Sequence, residues 1–219
     1  MKHGDRPAPD APPQAQSVFG NRLGSAQRYA DLLAGEGVTR GLLGPREVDR
    51  LWDRHILNSA AVACQVPDGA TCVDVGSGAG LPGIPLALAR PDVHVRLVEP
   101  LLRRVTFLEH ALDALGVDRL SVTRARAEEL PAASVDVVVA RAVAPLHRLV
   151  RWTVPLLTPG GRLVAMKGER AGDELAAAEP ELRRLGARGW QVSDLALPNG
   201  QDATRAVAVS YTHLRAHES

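Results

Sequence analysis

A glycine-rich stretch, VDVGSGAGLPG at Val73–Gly83, constrains the fold more than any other part of this 219-residue chain. It begins as a β-branched strand and then places glycine at alternate positions, Gly76, Gly78 and Gly80. It continues through Leu-Pro-Gly-Ile into a segment typical of a helix. A strand, a glycine turn and a helix N-terminus let the backbone approach a nucleotide-like ligand closely. The stretch therefore predicts a ligand site at this turn.

The spacing of the glycines separates two kinds of nucleotide site. A dinucleotide-binding turn has the form G-x-G-x-x-G, with glycine or alanine at position 81, where this chain has Leu81. The form found here, G-x-G-x-G with Asp74 two residues before the first glycine, resembles motif I of the class I S-adenosylmethionine (AdoMet) methyltransferases. In that class the turn passes under the amino-acid end of the cofactor, where glycine permits close approach. The resemblance implies cofactor contacts at Gly76, Gly78 and Gly80, and the alternative is a structural turn without a ligand.

Strand and helix patterns alternate from residue 70 onward. The predicted strands are Thr71–Val75, Val93–Val98, Leu120–Thr123, Val135–Ala140 and Arg162–Met166. The predicted helices are Pro82–Ala89, Leu101–Leu115, Leu146–Leu157 and Asp173–Leu185. Two further strands, Trp190–Leu197 and Ala203–Val209, are joined by a turn at Pro198-Asn199-Gly200, too short for a helix. We therefore predict a doubly wound, mainly parallel, seven-stranded α/β sheet of the class I methyltransferase type, ending in an antiparallel hairpin.

The remaining segments complete the predicted domain organisation. Residues 1–16 are rich in proline and alanine and predict a disordered tail. Residues 17–66 predict a small N-terminal helical lobe, with helices over Ser17–Leu33, capped by Ser17, and over Pro45–Ala63. Residues 67–209 form the predicted methyltransferase domain. Residues 210–219, SYTHLRAHES at the C-terminus, lose the alternating pattern and are interpreted as a frayed or foreign tail.

Composition narrows the class of protein only slightly. The net charge is +1, and all but two of the 26 basic residues are arginine, the exceptions being Lys2 and Lys167. Arginine suits two-pronged contacts to phosphate and to guanine, although an arginine-rich genome gives the same bias. Cys64 and Cys72 match no zinc or redox spacing and are predicted to be buried thiols in a reducing compartment. Without an apolar run long enough to span a bilayer, the sequence predicts a soluble cytoplasmic protein.

Polar side chains follow four of the predicted strands. Glu99 lies about 20 residues past the glycines, where a carboxylate accepts hydrogen bonds from ribose hydroxyls of AdoMet or NAD alike. Ala127 and Glu128 lie in the loop that passes the adenine in the methyltransferase layout. Arg141 and Lys167 close buried-looking strands and are predicted to point into the cleft. The stretch 141–168 has no acid, and its other cations are Arg148, Arg151 and Arg162.

The combined motifs resemble the RsmG family, the bacterial 16S ribosomal RNA guanine-N7 methyltransferases also called glucose-inhibited division protein B. They keep the family's order over roughly residues 20–209: WDRHILNS at 52–59, VDVGSGAGLPGIPLALARP at 73–91, LVEPLLRRVTFLEHALDALG at 97–116, ARAEEL at 125–130, VARAVAPL at 139–146 and PGGRLVAMKG at 159–168. The chain departs from the family at its Pro/Ala-rich N-terminus, at Pro100 and at its C-terminal ten residues.

The resemblance implies a set of site residues. AdoMet contacts fall on Gly76, Leu81, the Ala127-Glu128 pair and Arg141, and Glu99 matches the general ribose position. Arg54, His55 and Lys167 lie in family motifs near the expected substrate side.

The implied reaction needs no general base, because guanine N7 already carries an exposed lone pair. We expect direct in-line methyl transfer that depends on positioning, with no catalytic acid or base. We expect Arg141 to act through hydrogen bonds to cofactor, phosphate or guanine O6, because a cation too near the purine would oppose the charge it gains. The predicted partner is 16S ribosomal RNA or the small ribosomal subunit. The chain is expected to use no metal and no membrane, and a monomer is favoured.

Three other functions stay open at this point. The generic cofactor motif and near-neutral charge also suit a methyltransferase acting on a small molecule or a protein. A non-catalytic regulator that binds AdoMet or a nucleotide would carry the same turn. An NAD-dependent oxidoreductase is the weakest alternative, because Leu81 fits the dinucleotide turn poorly.

Overall fold

The computed structural model of the chain describes residues 7–197 and 202–211. A single seven-stranded sheet in the order β3-β2-β1-β4-β5-β7-β6 forms its centre. The strands are β1 Thr71–Val75, β2 His94–Val98, β3 Leu120–Thr123, β4 Val135–Arg141, β5 Leu157–Met166, β6 Ala187–Ala196 and β7 Asp202–Tyr211. The first five are parallel, and β7 is antiparallel to both β5 and β6. The predicted mainly parallel sheet and its antiparallel hairpin are therefore confirmed, while the predicted hairpin turn at 198–200 lies outside the described residues.

Helices cover both faces of this sheet. They are α4 Gly83–Ala89, α5 Leu102–Leu115, α6 Leu146–Thr153 and α7 Ala171–Arg184. Val137 and Val139 of β4 face the layer formed by α4, α5 and the N-terminal lobe. Val138 and Ala140 face the layer formed by α6 and α7. Burial on both faces explains why β4 reads as a continuous apolar run in the sequence.

The N-terminal lobe is helical, but its helices are irregular. It consists of α1 Pro13–Phe19, a 3-10 turn Gly20–Arg22, α2 Leu23–Leu32, a π-helical turn Leu33–Gly37, a 3-10 turn Pro45–Arg50, a π-helical segment Leu51–Leu57, α3 Asn58–Ala60 and a 3-10 turn Ala61–Gln65. Ser17 lies inside α1, where its hydroxyl donates to the Gln14 carbonyl, so the prediction that it caps a helix was wrong.

The structure also corrects the disordered tail predicted for residues 1–16, as far as it describes them. Residues 13–16 open α1, and the segment before them packs against the lobe. The Trp52 indole donates to the Pro9 carbonyl at 2.9 Å, and the Gln27 side chain bonds both Pro9 and Ala11. These side chains satisfy backbone groups that composition alone assigned to solvent.

The structure also bears on two predictions made from composition, which concern the cysteines and membrane-spanning segments. Cys72 is buried, but Cys64 is exposed, so the prediction of two buried thiols was wrong for Cys64. Within the described ranges, the structure contains no helix long and apolar enough to cross a membrane.

Candidate cofactor and substrate site

The glycine turn joins β1 to α4 at the carboxyl edge of the sheet. Gly76, Gly78 and Gly80 all have positive φ, at 69°, 58° and 96°, a conformation that glycine adopts without steric cost. A Cβ at Gly76 would lie 2.9 Å from the Val143 side chain, and one at Gly80 would meet the Ile84 side chain. At Gly78 the nearest atom would be 3.9 Å away. The first and third glycines are therefore required for packing, and the middle one leaves open space.

Asp74 anchors the start of α4 to this turn. It is fully buried, and its Oδ2 accepts a hydrogen bond from the Gly83 N–H at 3.0 Å. Its Oδ1 has no hydrogen-bond partner among the described residues. Burial raises the pKa of the Asp74 carboxyl to about 7, although the bond from Gly83 opposes this shift. The motif's carboxyl group therefore ionises in the neutral pH range.

Tyr29 fixes the other side of the turn from the N-terminal lobe. It is fully buried on α2, and its hydroxyl donates to the Ala79 carbonyl at 2.8 Å. Burial raises the pKa of Tyr29 well above its usual value, so the hydroxyl keeps the proton that it donates. The lobe therefore contributes directly to the shape of the glycine turn.

Glu99 lies beside the glycine turn at the end of β2. Its side chain is 1% exposed, and its carboxylate accepts hydrogen bonds from the Gly78 N–H at 3.0 Å and the Leu101 N–H at 3.1 Å. Arg104 approaches the same carboxylate at 3.4 Å. The structure thus brings together the predicted turn and the predicted ribose-binding carboxylate.

Two cavities meet at Gly76. The first, of about 290 Å³, includes five of the predicted site residues, Gly76, Gly78, Leu81, His55 and Arg141. The second, of about 190 Å³, includes Gly76 with the predicted Ala127 and Glu128, and also Pro100 and Trp152. The residues predicted to bind the two ends of the cofactor therefore line two cavities that share Gly76.

Arg141 ties the sheet edge to the N-terminal lobe. One terminal nitrogen donates to the Ser59 hydroxyl at 2.8 Å and to the His55 carbonyl at 3.3 Å. The other bonds the Arg54 carbonyl and His55 Nδ1, both at 3.1 Å. These bonds occupy four of the five N–H donors of the guanidinium. Arg141 does border the first cavity, but the lobe binds most of its donors.

The same network sets the protonation of His55. Because a guanidinium can only donate, His55 Nδ1 accepts, and the ring proton lies on Nε2, which is 2.7 Å from Glu47 Oε2. Burial, together with the Arg141 charge, lowers the pKa of His55 despite the opposing effect of Glu47. The hydrogen bond from His55 lowers the pKa of Glu47. His55 is therefore a neutral ring with both nitrogens engaged.

The other two predicted substrate residues lie in different surroundings. Arg54 is about half exposed and pairs with Glu47 at 3.2 Å. Lys167 is 7% exposed, pairs with Glu174 at 2.9 Å and donates to the Ala144 carbonyl. It does not belong to either cavity lining, so its side chain does not point into these cavities as predicted, and its place on the substrate side stays a prediction.

Several residues of this site carried no recognisable signal in the sequence. They are Tyr29, Glu47, Trp152 and Glu174. Each lies on a helical segment whose pattern predicts only which face is buried. Some of their contacts join distant elements, as Tyr29 to Ala79, and others lie within eight residues, as Glu47 to His55. The spacing of apolar residues does not report either kind of contact.

Solved structures similar to this chain include methyltransferases. A predicted O-methyltransferase from Agrobacterium tumefaciens matches with a TM-score of 0.57 and 19% identity, covering 72% of this chain and 81% of that one. M. jannaschii TYW2, solved in complex with AdoMet, matches with a TM-score of 0.56 and 16% identity, covering 71% of this chain and 74% of that one. The fold, with its strand order and glycine turn, is that of the class I AdoMet-dependent methyltransferases.

The family follows from sequence similarity. Residues 22–199 match the family described as rRNA small subunit methyltransferase G, GidB. The ribosomal RNA small subunit methyltransferase G of Mycolicibacterium gilvum is 57% identical over 196 residues, 88% of this chain and 85% of that protein. The one from Streptomyces avermitilis is 56% identical over 181 residues, 82% of this chain and 76% of that protein. The chain belongs to the rRNA small subunit methyltransferase G family, and the resemblance drawn from its motifs is confirmed.

Proposed function

We propose that this chain transfers the methyl group of AdoMet to N7 of a guanine in 16S ribosomal RNA. The observation that carries the proposal is its membership of the rRNA small subunit methyltransferase G family. The class I methyltransferase sheet supports it independently. Action on ribosomal RNA fits the predicted cytoplasmic location, while the monomeric state and the absence of a metal stay predictions.

The two cavities fit an elongated cofactor with a polar and a flat end. The open space at Gly78 adjoins the first cavity, whose lining includes Arg141 and His55, and this polar cavity suits the amino-acid end. Trp152 and Ala127 line the second, which suits adenine. Glu99, whose carboxylate accepts from the Gly78 N–H, would bind the ribose hydroxyls. AdoMet supplies an activated methyl group on its sulfonium sulfur.

The state of His55 supports transfer without a general base. It is the only histidine among the described residues that line the first cavity, and burial lowers its pKa, so the ring is neutral. Both its ring nitrogens are already hydrogen-bonded, to Arg141 and to Glu47. Guanine N7 has a free lone pair and does not lose a proton before it attacks. The site therefore has to position the base against the methyl group and to exclude competing water.

Methylation mapping tests this function. The protein is incubated with methyl-labelled AdoMet and with unmodified 16S RNA or small subunits, and the modified nucleotide is located. We expect label in N7-methylguanine at one position. Label on another atom would contradict the N7 assignment, and no transfer to either RNA substrate would contradict the proposed function.

Calorimetry with AdoMet and NADH, combined with the RNA-labelling assay, separates the oxidoreductase from the two alternatives that bind AdoMet. A non-catalytic regulator would bind AdoMet without turnover on any RNA. A methyltransferase for a small molecule or a protein would bind AdoMet equally well and leave the RNA unlabelled. Binding of NADH without binding of AdoMet would revive the oxidoreductase.

A further inference from the structure

The loop of residues 142–145 lies between the two cavities. It joins β4 to α6, and Ala142 borders the first cavity while Val143 borders the second. Val143 also lies against the glycine turn, within 2.9 Å of where a Cβ at Gly76 would be. A shift of this loop would therefore change both cavities together.

The backbone of this loop is strained at its first residue. Ala142 has a φ of 52°, in the left-handed region that residues with a Cβ seldom adopt. Such a conformation persists only where the surrounding contacts hold it in place. The loop contains no glycine that would allow the bend without cost, so contacts from outside the loop have to maintain it.

One buried ion pair holds the loop from its far end. Lys167, which follows β5, donates from Nζ to the Ala144 carbonyl and pairs with Glu174 Oε2 at 2.9 Å. The same Oε2 accepts the Leu146 N–H, at the start of α6, at 2.8 Å. The two side chains are only 7% and 15% exposed. The cation thus fixes a carbonyl of the loop, and the anion fixes the amide two residues later.

The opposite charges of Lys167 and Glu174 compensate each other. Burial opposes ionisation of the Glu174 carboxyl, but the hydrogen bonds from Lys167 and Leu146 outweigh burial and lower its pKa. The Glu174 carboxyl is therefore ionised at neutral pH. Neutralised by Glu174, Lys167 does not oppose the positive charge that a purine gains on N7 methylation.

We propose that the Lys167–Glu174 pair positions the 142–145 loop for methyl transfer and thereby sets how the acceptor base meets the methyl donor. Lys167 is a positioning residue, since it acts through the loop and lines neither cavity. The proposal rests on the proposed RNA methyltransferase function. It assigns a role to Glu174 and replaces the substrate contact predicted for Lys167.

The test compares Lys167→Met and Glu174→Gln with a control on the same helix. Glu181→Gln removes a charge that pairs with Arg151 and Arg184, away from the loop. The readouts are the single-turnover rate of RNA methylation, the AdoMet Kd from calorimetry and the amide exchange of Leu146. For both test variants we expect a rate loss of roughly 10- to 100-fold, as small misplacements cause. The AdoMet Kd should change less than about threefold, and Leu146 exchange should rise, whereas Glu181→Gln should leave all three readouts near wild type.

The outcomes distinguish positioning from other roles. Lys167→Arg should recover part of the rate because it restores a cationic donor, and combining Lys167→Met with Glu174→Gln should cost little more than either change alone. A folded Lys167→Met protein with wild-type rate and Leu146 exchange would overturn the proposal, as would an equal loss of AdoMet affinity. If Lys167→Met does not fold, the same three measurements on Glu174→Gln test the proposal. A wild-type protein inactive on RNA would refute the proposed function instead, and the exchange data would still show whether the pair holds the loop.

Discussion

Gly78 offers the most direct test of the cofactor site at the scale of a residue. Its φ is 58°, and a Cβ there would enter the open space of the first cavity. Gly116, which ends α5, has a φ of 59° and no neighbouring atoms within 4 Å. Gly78→Ala and Gly116→Ala should therefore cost about the same stability, roughly 1–2 kcal/mol. Only Gly78→Ala should weaken AdoMet binding in calorimetry, by at least about tenfold, equal to about 1.4 kcal/mol.

Equal AdoMet affinities in these two variants would show that the turn does not hold the cofactor. A much larger stability loss for Gly78→Ala would show instead that the middle glycine is needed for packing, as Gly76 and Gly80 are.

Asp74 makes the folded protein less stable as the pH rises, which is the reverse of the usual effect of a carboxyl group. Its pKa is raised to about 7 by burial, from about 3.9 in an unfolded chain. The folded state thus binds the proton more tightly, and the stability that Asp74 contributes is lost as the pH rises from about 4 to about 7. Asp74→Asn keeps an acceptor for Gly83 and stays neutral. The free energy of unfolding of Asp74→Asn, measured in urea and taken relative to that of wild type, should therefore rise by on the order of 2 kcal/mol between pH 5 and pH 8.

Asp136 is the matched control for this effect. Hydrogen bonds from Thr71 lower its pKa, so it is ionised in both states from pH 5 to pH 8. Its contribution is lost only as the pH falls through the lowered folded-state pKa. Asp136→Asn should therefore destabilise the protein by an amount that stays constant over this range. A pH-independent difference for Asp74→Asn as well would contradict the raised pKa.

At the scale of elements, Arg141 decides how the N-terminal lobe docks on the sheet. Its guanidinium bonds three residues of the lobe, Arg54, His55 and Ser59. Lysine has the charge but cannot reproduce this planar set of donors. Arg141→Lys should lower the free energy of unfolding by about 2–3 kcal/mol, measured in urea, because buried acceptors lose charged donors.

Arg162→Lys provides the comparison for this prediction. Arg162, on β5, donates one hydrogen bond of 3.4 Å to the Gln65 carbonyl of the lobe. Arg162→Lys should therefore lower the free energy of unfolding by well below about 1 kcal/mol. Equal losses in the two variants would mean that the bonds of Arg141 do not stabilise the docked lobe.

At the scale of the whole molecule, a net charge of +1 means that RNA binding depends on local arginines. Tertiary pairing removes some candidates, since Arg151 pairs with Glu181 at 3.0 Å and Lys167 with Glu174. Arg148 is exposed on α6, just past the 142–145 loop, whereas Arg188 is exposed on β6 at the sheet edge. Arg148→Ala should reduce the slope of log affinity against log salt by about one, and Arg188→Ala should not. Filter binding of 16S RNA at several salt concentrations measures both slopes, and unchanged slopes would remove Arg148 from the RNA-binding surface.

Most of the fold and part of the site could be predicted from local patterns in the sequence. The sheet and its flanking helices follow from apolar periodicity, and the glycine turn follows from the positive φ that its three glycines adopt. Glu99 and Arg141 were located because the carboxyl ends of parallel strands share one edge of a sheet. Residues 7–16 were misread because composition does not report that Trp52 and Gln27 bind their backbone.

The sequence by itself determined the class of fold, the position of the glycine turn and the family, because these depend on the order and spacing of residues along the chain. Only the tertiary structure decided the state of each charged group. Arg141 and His55 are 86 positions apart, and the acid that neutralises Lys167 comes from a separate helix. Electrostatic interaction depends on distance in space and on burial, neither of which is visible in a run of residues without acids. The stretch that looked most cationic in the sequence is therefore partly neutralised in the folded protein, and its lysine supports a loop.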